Sequence, residues 1–276
     1  MVTELLATLD GIAREAATLI RTVYRTSFEV DFKAPADPVT EADRQANALI
    51  CERLEALFPG VPIVAEESEP EAFAGYRTAP RVFFVDPLDG TREFVARNGE
   101  FVVMIGLVEG ERATTGVIHA PEQGISWVGQ LGHGAWQIAA DGAVSSLHVS
   151  STAALSEACI VGSRSHRNPE LERVLETLAA REVIALGSAG LKGAYVARGQ
   201  ADAYVAPQYA GKRWDACATD ALVTAAGGKL TTAHGDLFDY RTEDLGNTHG
   251  ILATNGVLHD AIARQLAQAR TSIGSG

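Results

Sequence analysis

The sequence predicts an α/β protein, α+β in its first part, with sheets and helices stacked in layers. Short runs rich in Val, Ile and Phe, such as Val82–Val85 and Phe101–Val108, recur between segments whose apolar residues fall at helical spacing. Strand and helix alternate from Cys159 to Thr231, the pattern of helices laid over a sheet. The chain has 276 residues, 46% hydrophobic and 21% charged, enough to bury a sizeable core without disulfide or metal support.

From the N-terminus, Leu5, Leu9, Ile12, Ala16, Leu19 and Val23 predict an amphipathic helix over 4–24. A loop with Pro35 and Pro38 follows. Thr40 then opens a second helix, with Asp43 as its capping-box partner and Leu49, Ile50, Leu54 and Leu57 on one face; Pro59-Gly60 stops it. Val61–Ala65 and Val82–Val85 predict short buried strands, each ending at acidic residues. Phe101–Val108 and Ala113–His119 predict strands joined at Glu109-Gly110, and Gly-punctuated strand pieces run from Gly124 to Trp136.

The texture changes near Ser150, which predicts an N-terminal α+β part over 1–150 and a C-terminal α/β part over 151–276. In the second part, Cys159–Gly162 and Val183–Leu186 predict strands around a helix from Pro169 to Ala180. Helix Gly190–Arg198, strand Ala203–Val205, helix Cys217–Ala226 and strand Lys229–Thr231 follow.

Composition excludes several function classes. With 23 basic against 35 acidic residues the formal net charge is −12, and no Lys/Arg stripe interrupts it, which argues against a nucleic-acid partner. The apolar runs are far short of the ~18 residues of a membrane span, and Met1–Arg25 is amphipathic rather than a secretory signal. Cys51, Cys159 and Cys217 are far apart and odd in number, which suits a reducing cytoplasm.

The densest chemical signal is Asp86-Pro87-Leu88-Asp89-Gly90-Thr91, directly after a strand. Two carboxylates that close repel unless a cation lies between them. Gly90 lets the backbone approach a ligand, and the Gly90 and Thr91 N–H groups suit a phosphate. The plain alternative is an acidic turn stiffened by proline. Glu66-Glu67 ends the preceding strand, and ligand sites in α/β sheets lie beyond strand carboxyl ends. Trp214-Asp215 precedes an apolar helix, where Asp215 reads equally as an N-cap; Asp43 reads equally as a capping carboxylate. An all-oxygen donor set suits Mg²⁺, whereas zinc would want His or Cys clusters that the spacing does not offer. Dinucleotide, P-loop and GxSxG signatures are absent. The residues by themselves lead to a Mg²⁺-dependent enzyme acting on a phosphate ester.

Val39–Asp43 (VTEAD), Ala65–Ser68 (AEES), Asp86–Thr91 (DPLDGT), and Trp214-Asp215 with Ala225–Gly228 (AAGG) together resemble the inositol monophosphatase superfamily. Within it the chain is most similar to the 3'(2'),5'-bisphosphate nucleotidases, on Arg92-Glu93-Phe94, Ser163–His166 (SRSH), Lys192 and Gly227–Gly235. The resemblance implies the αβαβα sandwich of the sugar phosphatases. It implies two or three Mg²⁺ ions on Glu66, Asp86, the Leu88 carbonyl, Asp89 and Asp215, with Thr91 and Asp43 helping to activate water and Glu66 counted among the catalytic groups. Gly90 and Thr91 would hold the scissile phosphate; Ser163, His166, Ser188 and Lys192 would contact the nucleotide, the lysine at a second phosphate. The implied reaction is hydrolysis of 3'-phosphoadenosine 5'-phosphate to AMP, within sulfur metabolism, by a monomer or homodimer. The alternative is an inositol-1-phosphate or other polyol monophosphate substrate, histidinol phosphate included.

Overall fold

Helix α1 (Glu4–Tyr24) starts where the Thr3 hydroxyl accepts the Leu6 N–H. The structure, a computed structural model, describes residues 1–34 and 37–273. The buried stripe of α1 runs through Leu6, Leu9, Ala13, Ala16 and Ile20; Leu5, Leu19 and Val23 sit half-buried at its edge. An antiparallel hairpin of β1 (Val30–Ala34) and β2 (Asp37–Thr40) follows, and Pro38 lies within it; Pro35 falls outside the described residues. Helix α2 (Glu41–Leu57) is opened by the expected capping box of Thr40 and Asp43. Its inward face is Ala42, Ala46, Ile50 and Leu54, whereas Leu57 is exposed.

The first sheet has seven strands in sequence order: β3 (Ile63–Ala65), β4 (Arg81–Asp89), β5 (Val102–Glu109), β6 (Arg112–Ala120), β7 (Ile125–Gln130), β8 (Gly134–Ile138) and β9 (Val144–Ser146). A short helix α3 (Thr91–Val95) lies between β4 and β5. Beyond residue 150 come β10 (Cys159–Ser163), α4 (Pro169–Leu178), β11 (Glu182–Leu186), α5 (Ala189–Ala197), β12 (Ala203–Ala206), α6 (Arg213–Ala225), β13 (Lys229–Thr231), β14 (Ile251–Thr254) and α7 (His259–Ile273). The second sheet is ordered β11-β10-β12-β14-β13, parallel at β10 and antiparallel at β14. Strands β9 and β14, helices α3 and α7 and the β1–β2 hairpin are additions to the elements expected from the sequence.

The elements stack as α–β–α–β–α. Phe83 and Val85 of β4 face α1 and α2, while Val82 and Phe84 face the other way, so β4 is apolar on both faces and reads as one continuous run. Helices α5 and α6 fill the middle layer between the sheets, with Leu191, Ala194, Cys217 and Leu222 packed among Met104, Ile118, Val161 and Tyr204. Helices α4 and α7 cover the outer face of the second sheet through Leu171, Leu175, Ile262 and Leu266. This is the αβαβα sandwich expected from the resemblance.

The middle layer is held unusually close by glycine. Gly106, Gly116 and Gly129 are cross-strand partners in a row over β5, β6 and β7. A Cβ on Gly116 would lie 2.2 Å from the Ala218 carbonyl oxygen, and one on Gly106 2.5 Å from Cys217 Sγ. The α6 backbone therefore rests directly on the sheet, and this contact sets the position of its first turn.

Candidate active site

Strands β3 and β4 run parallel, with Ala65 paired to Val85, so the residues that follow, Glu66 and Asp86, emerge side by side. Strand β4 does not stop at Val85 as the sequence suggests but continues to Asp89. Asp86 pairs with Met104 and Asp89 with Val102, three residues against two, which is a bulge at Pro87-Leu88. In a regular strand, residues three apart point to opposite faces; the extra residue turns both aspartates to one side. Pro87 occupies a position where no ladder donor is needed.

The third aspartate arrives from α6. The helix begins at Arg213, earlier than Cys217, so Asp215 lies inside its first turn rather than ahead of it. Its Oδ2 accepts the Lys212 N–H at 2.6 Å. Ligand oxygens of Asp86, Asp89 and Asp215 all lie within 4.8 Å of one another. Burial first, then the charges of Glu66, Asp89 and Asp215, drive the Asp86 carboxyl well above its ordinary range; burial, Asp89 and Glu66 do the same to Asp215. Such a cluster is unfavourable as bare anions, and an all-oxygen donor set of this charge fits a hard divalent cation.

Each carboxylate is aimed by a hydrogen bond. The Leu88 N–H donates to Asp86 Oδ1 at 3.0 Å. Asp89 Oδ2 accepts the Gly190 N–H at 2.7 Å and the Ser188 hydroxyl. Ser188 is the N-cap of α5 with a positive φ (56°, ψ 133°), and its side-chain oxygen also accepts the Leu191 N–H at 3.0 Å. Beside the cluster, Gly90 has φ 100°, and a Cβ there would lie 2.8 Å from the Glu100 carbonyl oxygen, so only glycine fits. Thr91 follows at the start of α3, its hydroxyl directed at Asp43 Oδ1 (3.1 Å) and the Leu88 carbonyl (3.3 Å). The other Asp43 oxygen accepts the Thr40 N–H (2.8 Å) and hydroxyl (2.6 Å), so the capping and Thr91-facing readings of Asp43 hold together. Burial pushes Asp43 up to about 6, against the Thr40 hydrogen bonds that pull it down.

Every candidate catalytic, metal-holding or substrate-binding residue except Asp43 lines one cleft of about 560 Å³; Glu67 does not line it. On its far side, buried Lys192 donates from Nζ to the Ser188 carbonyl at 2.6 Å and lies 5.1 Å from the centre of the Tyr204 ring. Burial lowers its pKa, opposed by Asp89, Glu93, Asp215 and Glu100. His166 is exposed on the rim, its N–H on the Ser163 hydroxyl at 3.0 Å. Its pKa is lowered by partial desolvation, then by the Arg92 and Lys192 cations.

Sequence reasoning named Arg92, Glu93, Arg164 and Ser165 only as carriers of the resemblance and missed both Glu100 and the contacts by which these residues tie the two sides of the cleft. Glu100 accepts both a two-pronged contact from Arg164 (2.5 and 3.0 Å) and the Gly187 N–H (2.7 Å). Buried Glu93 accepts the Ser165 hydroxyl, and Arg92 donates to the Ser165 carbonyl at 3.1 Å. Glu93 and Arg92 sit next to the DPLDGT motif, a signal of place though not of partner; Glu100 carries none.

Known proteins resemble this chain in sequence and in fold. The 3'(2'),5'-bisphosphate nucleotidase CysQ of Salmonella typhimurium is 35% identical over 232 residues, covering 83% of this chain and 91% of the relative; the Escherichia coli K12 protein of that name gives the same figures. Among solved structures, the Bartonella henselae extragenic suppressor protein SuhB superposes with TM-score 0.81 at 26% identity over 96% and 98% of the two chains. CysQ from Bacteroides thetaiotaomicron, described as a bacterial member of the inositol monophosphatase family, gives TM-score 0.77 at 27% identity over 91% and 97%. The sequence profile of the inositol monophosphatase family matches residues 1–271, and the chain belongs to that family.

Proposed function

We propose that the protein is a Mg²⁺-dependent phosphatase that removes the 3'-phosphate of 3'-phosphoadenosine 5'-phosphate, releasing AMP and phosphate. The observation that carries this reading is a buried lysine in the same cleft as the carboxylate cluster. A monophosphate ester has one dianionic group, which the cation end satisfies; a second phosphate gives Lys192 a partner. An ammonium has three donors, and the Ser188 carbonyl takes one. The curated relatives named bisphosphate nucleotidase support the same substrate class.

Glu66, Asp86, the Leu88 carbonyl, Asp89 and Asp215 would hold the cations, the first four from the 1–150 part and the last from the 151–276 part that we propose as subdomains. When bound, divalent cations supply Lewis acidity to water and to the phosphate oxygens. The chain's own contribution is orientation. The Thr91 proton points to Asp43, which leaves the Thr91 oxygen as an acceptor for the attacking water. Gly90 and Thr91 begin α3, where backbone N–H groups suit the scissile phosphate. Water adds to phosphorus, the bond from phosphorus to the 3' oxygen breaks, and that oxygen takes up a proton.

A second reading, an inositol-1-phosphate or other polyol monophosphate substrate such as histidinol phosphate, draws on the Thermotoga maritima IMPase structure. That structure matches with TM-score 0.81 at 25% identity over 98% and 100% of the two chains. Phosphate release measured in parallel from 3'-phosphoadenosine 5'-phosphate, inositol-1-phosphate and histidinol phosphate separates the two. The nucleotidase reading expects a large kcat/KM preference for the bisphosphate that Lys192→Ala removes while monophosphate turnover survives. A monophosphate preference in the unaltered protein overturns it.

A further inference from the structure

Outside the cleft, the turn after β13 and the segment before β14 bring together three side chains of metal-ligand type. Donor atoms of His234, Asp236 and His249 all lie within 4.8 Å of one another, and the three side chains are exposed. None of them lines the cleft. Their backbone is fixed from below by buried Thr232. Its hydroxyl accepts the His234 and Asp236 N–H groups, each at 3.2 Å, and its own N–H donates to the Asp236 carbonyl at 2.8 Å. The Ala233 N–H donates to the His249 carbonyl at 2.8 Å, which sets the spacing between the two histidine-bearing segments. The imidazoles stack with centroids 4.3 Å apart and planes 17° apart.

Two imidazoles and a carboxylate form a donor set for borderline dications; Mg²⁺ and Ca²⁺ prefer oxygen alone. Neutral imidazole is the ligating form. The in-plane lone pairs of near-parallel rings run side by side, and rotation about the second side-chain torsion, open to exposed rings, aims them at a common point beside the carboxylate. Arg270, whose Nη1 donates to the Ala233 carbonyl at 2.9 Å, opposes a dication there, and the Asp236 charge offsets it.

We propose that His234, Asp236 and His249 form a surface site for Zn²⁺, distinct from the acidic cleft, with its remaining positions open to water or to a ligand carried by another molecule. The test is calorimetric titration of the full chain with Zn²⁺ in the presence of excess Mg²⁺, which occupies the oxygen-lined cleft. One Zn²⁺ per chain is expected, with affinity falling by roughly tenfold or more in His249→Ala and in His234→Asn. His133→Ala, an exposed histidine remote from the cluster in sequence, should bind as the unaltered protein does. Far-UV circular dichroism checks that each variant is folded. Absence of binding to the unaltered protein at 100-fold molar excess overturns the proposal. So does Zn²⁺ binding that survives in the His234→Asn/His249→Ala double variant.

Discussion

Adding one methyl group at Gly116 tests whether the glycine row seats α6. The new Cβ would lie 2.2 Å from the Ala218 carbonyl oxygen and 3.0 Å from the Ala218 carbonyl carbon and Cα, all backbone atoms of a helix. An ordinary carbon–oxygen contact is about 3.3 Å or more, so the helix must retreat by about 1 Å or the β6 backbone must sink. Neither can be absorbed by a side-chain rotation. Overpacking of this kind costs about 1–3 kcal/mol, and a gap of about 1 Å along the helix forfeits a quarter to a half of each facing dispersion contact. Gly116→Ala should therefore destabilise by about 3 kcal/mol or more, a fall in Tm of about 6–12 °C for a chain of this size. Asp215 rides on the first turn of the same helix, so Mg²⁺ affinity should fall as well. Gly11→Ala is the opposite control: it lies exposed in α1 with nothing within 4 Å of its added Cβ. That change should raise stability by about 0.5–1 kcal/mol through helix propensity. Thermal unfolding and calorimetric Mg²⁺ titration of both variants are the assays. A Gly116→Ala protein that melts within a degree of the parent and binds Mg²⁺ equally would refute the argument that the row positions α6.

Three further outcomes are expected. Asp220 is buried, accepts hydrogen bonds from the Tyr240 hydroxyl (2.9 Å) and the Thr224 hydroxyl (3.2 Å), and is raised by burial from 3.8 to about 6. Between those values the folded chain holds a proton that the unfolded chain has lost, so this group's contribution to stability falls as pH rises from about 4 to 6 and stays low above. Asp220→Asn should then stabilise by up to ~3 kcal/mol at pH 7–8, with the gain shrinking towards pH 4; denaturant melts at several pH values that show a pH-independent difference contradict it. Thr91→Ala should lower kcat by about 100-fold or more while Mg²⁺ binding measured by calorimetry persists, and loss of binding with unchanged turnover per bound metal would reassign Thr91. Burial and mutual repulsion raise Asp86 and Asp215, so the metal-free cluster takes up protons at higher pH than ordinary carboxyls do, and a cation competes with them. Mg²⁺ binding should release protons and weaken as pH falls, and a binding heat independent of the buffer's ionisation enthalpy would contradict this.

What the sequence made legible was local chemistry. The capping box at Thr40 and Asp43 joins residues three apart, and the run from Asp86 to Thr91 is contiguous, so both could be read directly. The bulge that turns Asp86 and Asp89 to one side could not, because it depends on register against Val102 and Met104. The apolar run of Cys217–Ala226 suggests a helix that leaves Asp215 ahead of it; in the fold Trp214 packs into the core, and the helix starts at Arg213. Leu57 carries the right period for burial but is the last residue of α2 and is exposed. Helix α7 shows Ile262 and Leu266 at helical spacing, a signal present but weak among Gln, Arg and Ala. Contacts such as Ser188 to Asp89 and Arg164 to Glu100 join distant stretches of chain, and no pattern along one sequence announces them.

The hydrogen bonds that aim the three aspartates also decide how many teeth each can offer a cation. Asp86 gives Oδ1 to the Leu88 N–H, Asp89 gives Oδ2 to Ser188 and Gly190, and Asp215 gives Oδ2 to the Lys212 N–H. One oxygen of every pair is thereby engaged by the protein, fully at Asp89 Oδ2 with its two donors and partly at Asp86 Oδ1 and Asp215 Oδ2 with one each, so the other oxygen of each pair is the one most open to a cation. A large ion that gathers six to eight oxygens by straddling carboxylates would have to share an oxygen with a backbone amide at Asp86 and Asp215 and to displace Ser188 or Gly190 at Asp89. A small octahedral ion takes one oxygen from each and leaves its other positions for water and the phosphate. For the cation cleft proposed above, selection between ions thus depends on denticity as well as on net charge, and Ser188, Gly190 and two neighbouring backbone amides favour one oxygen from each aspartate.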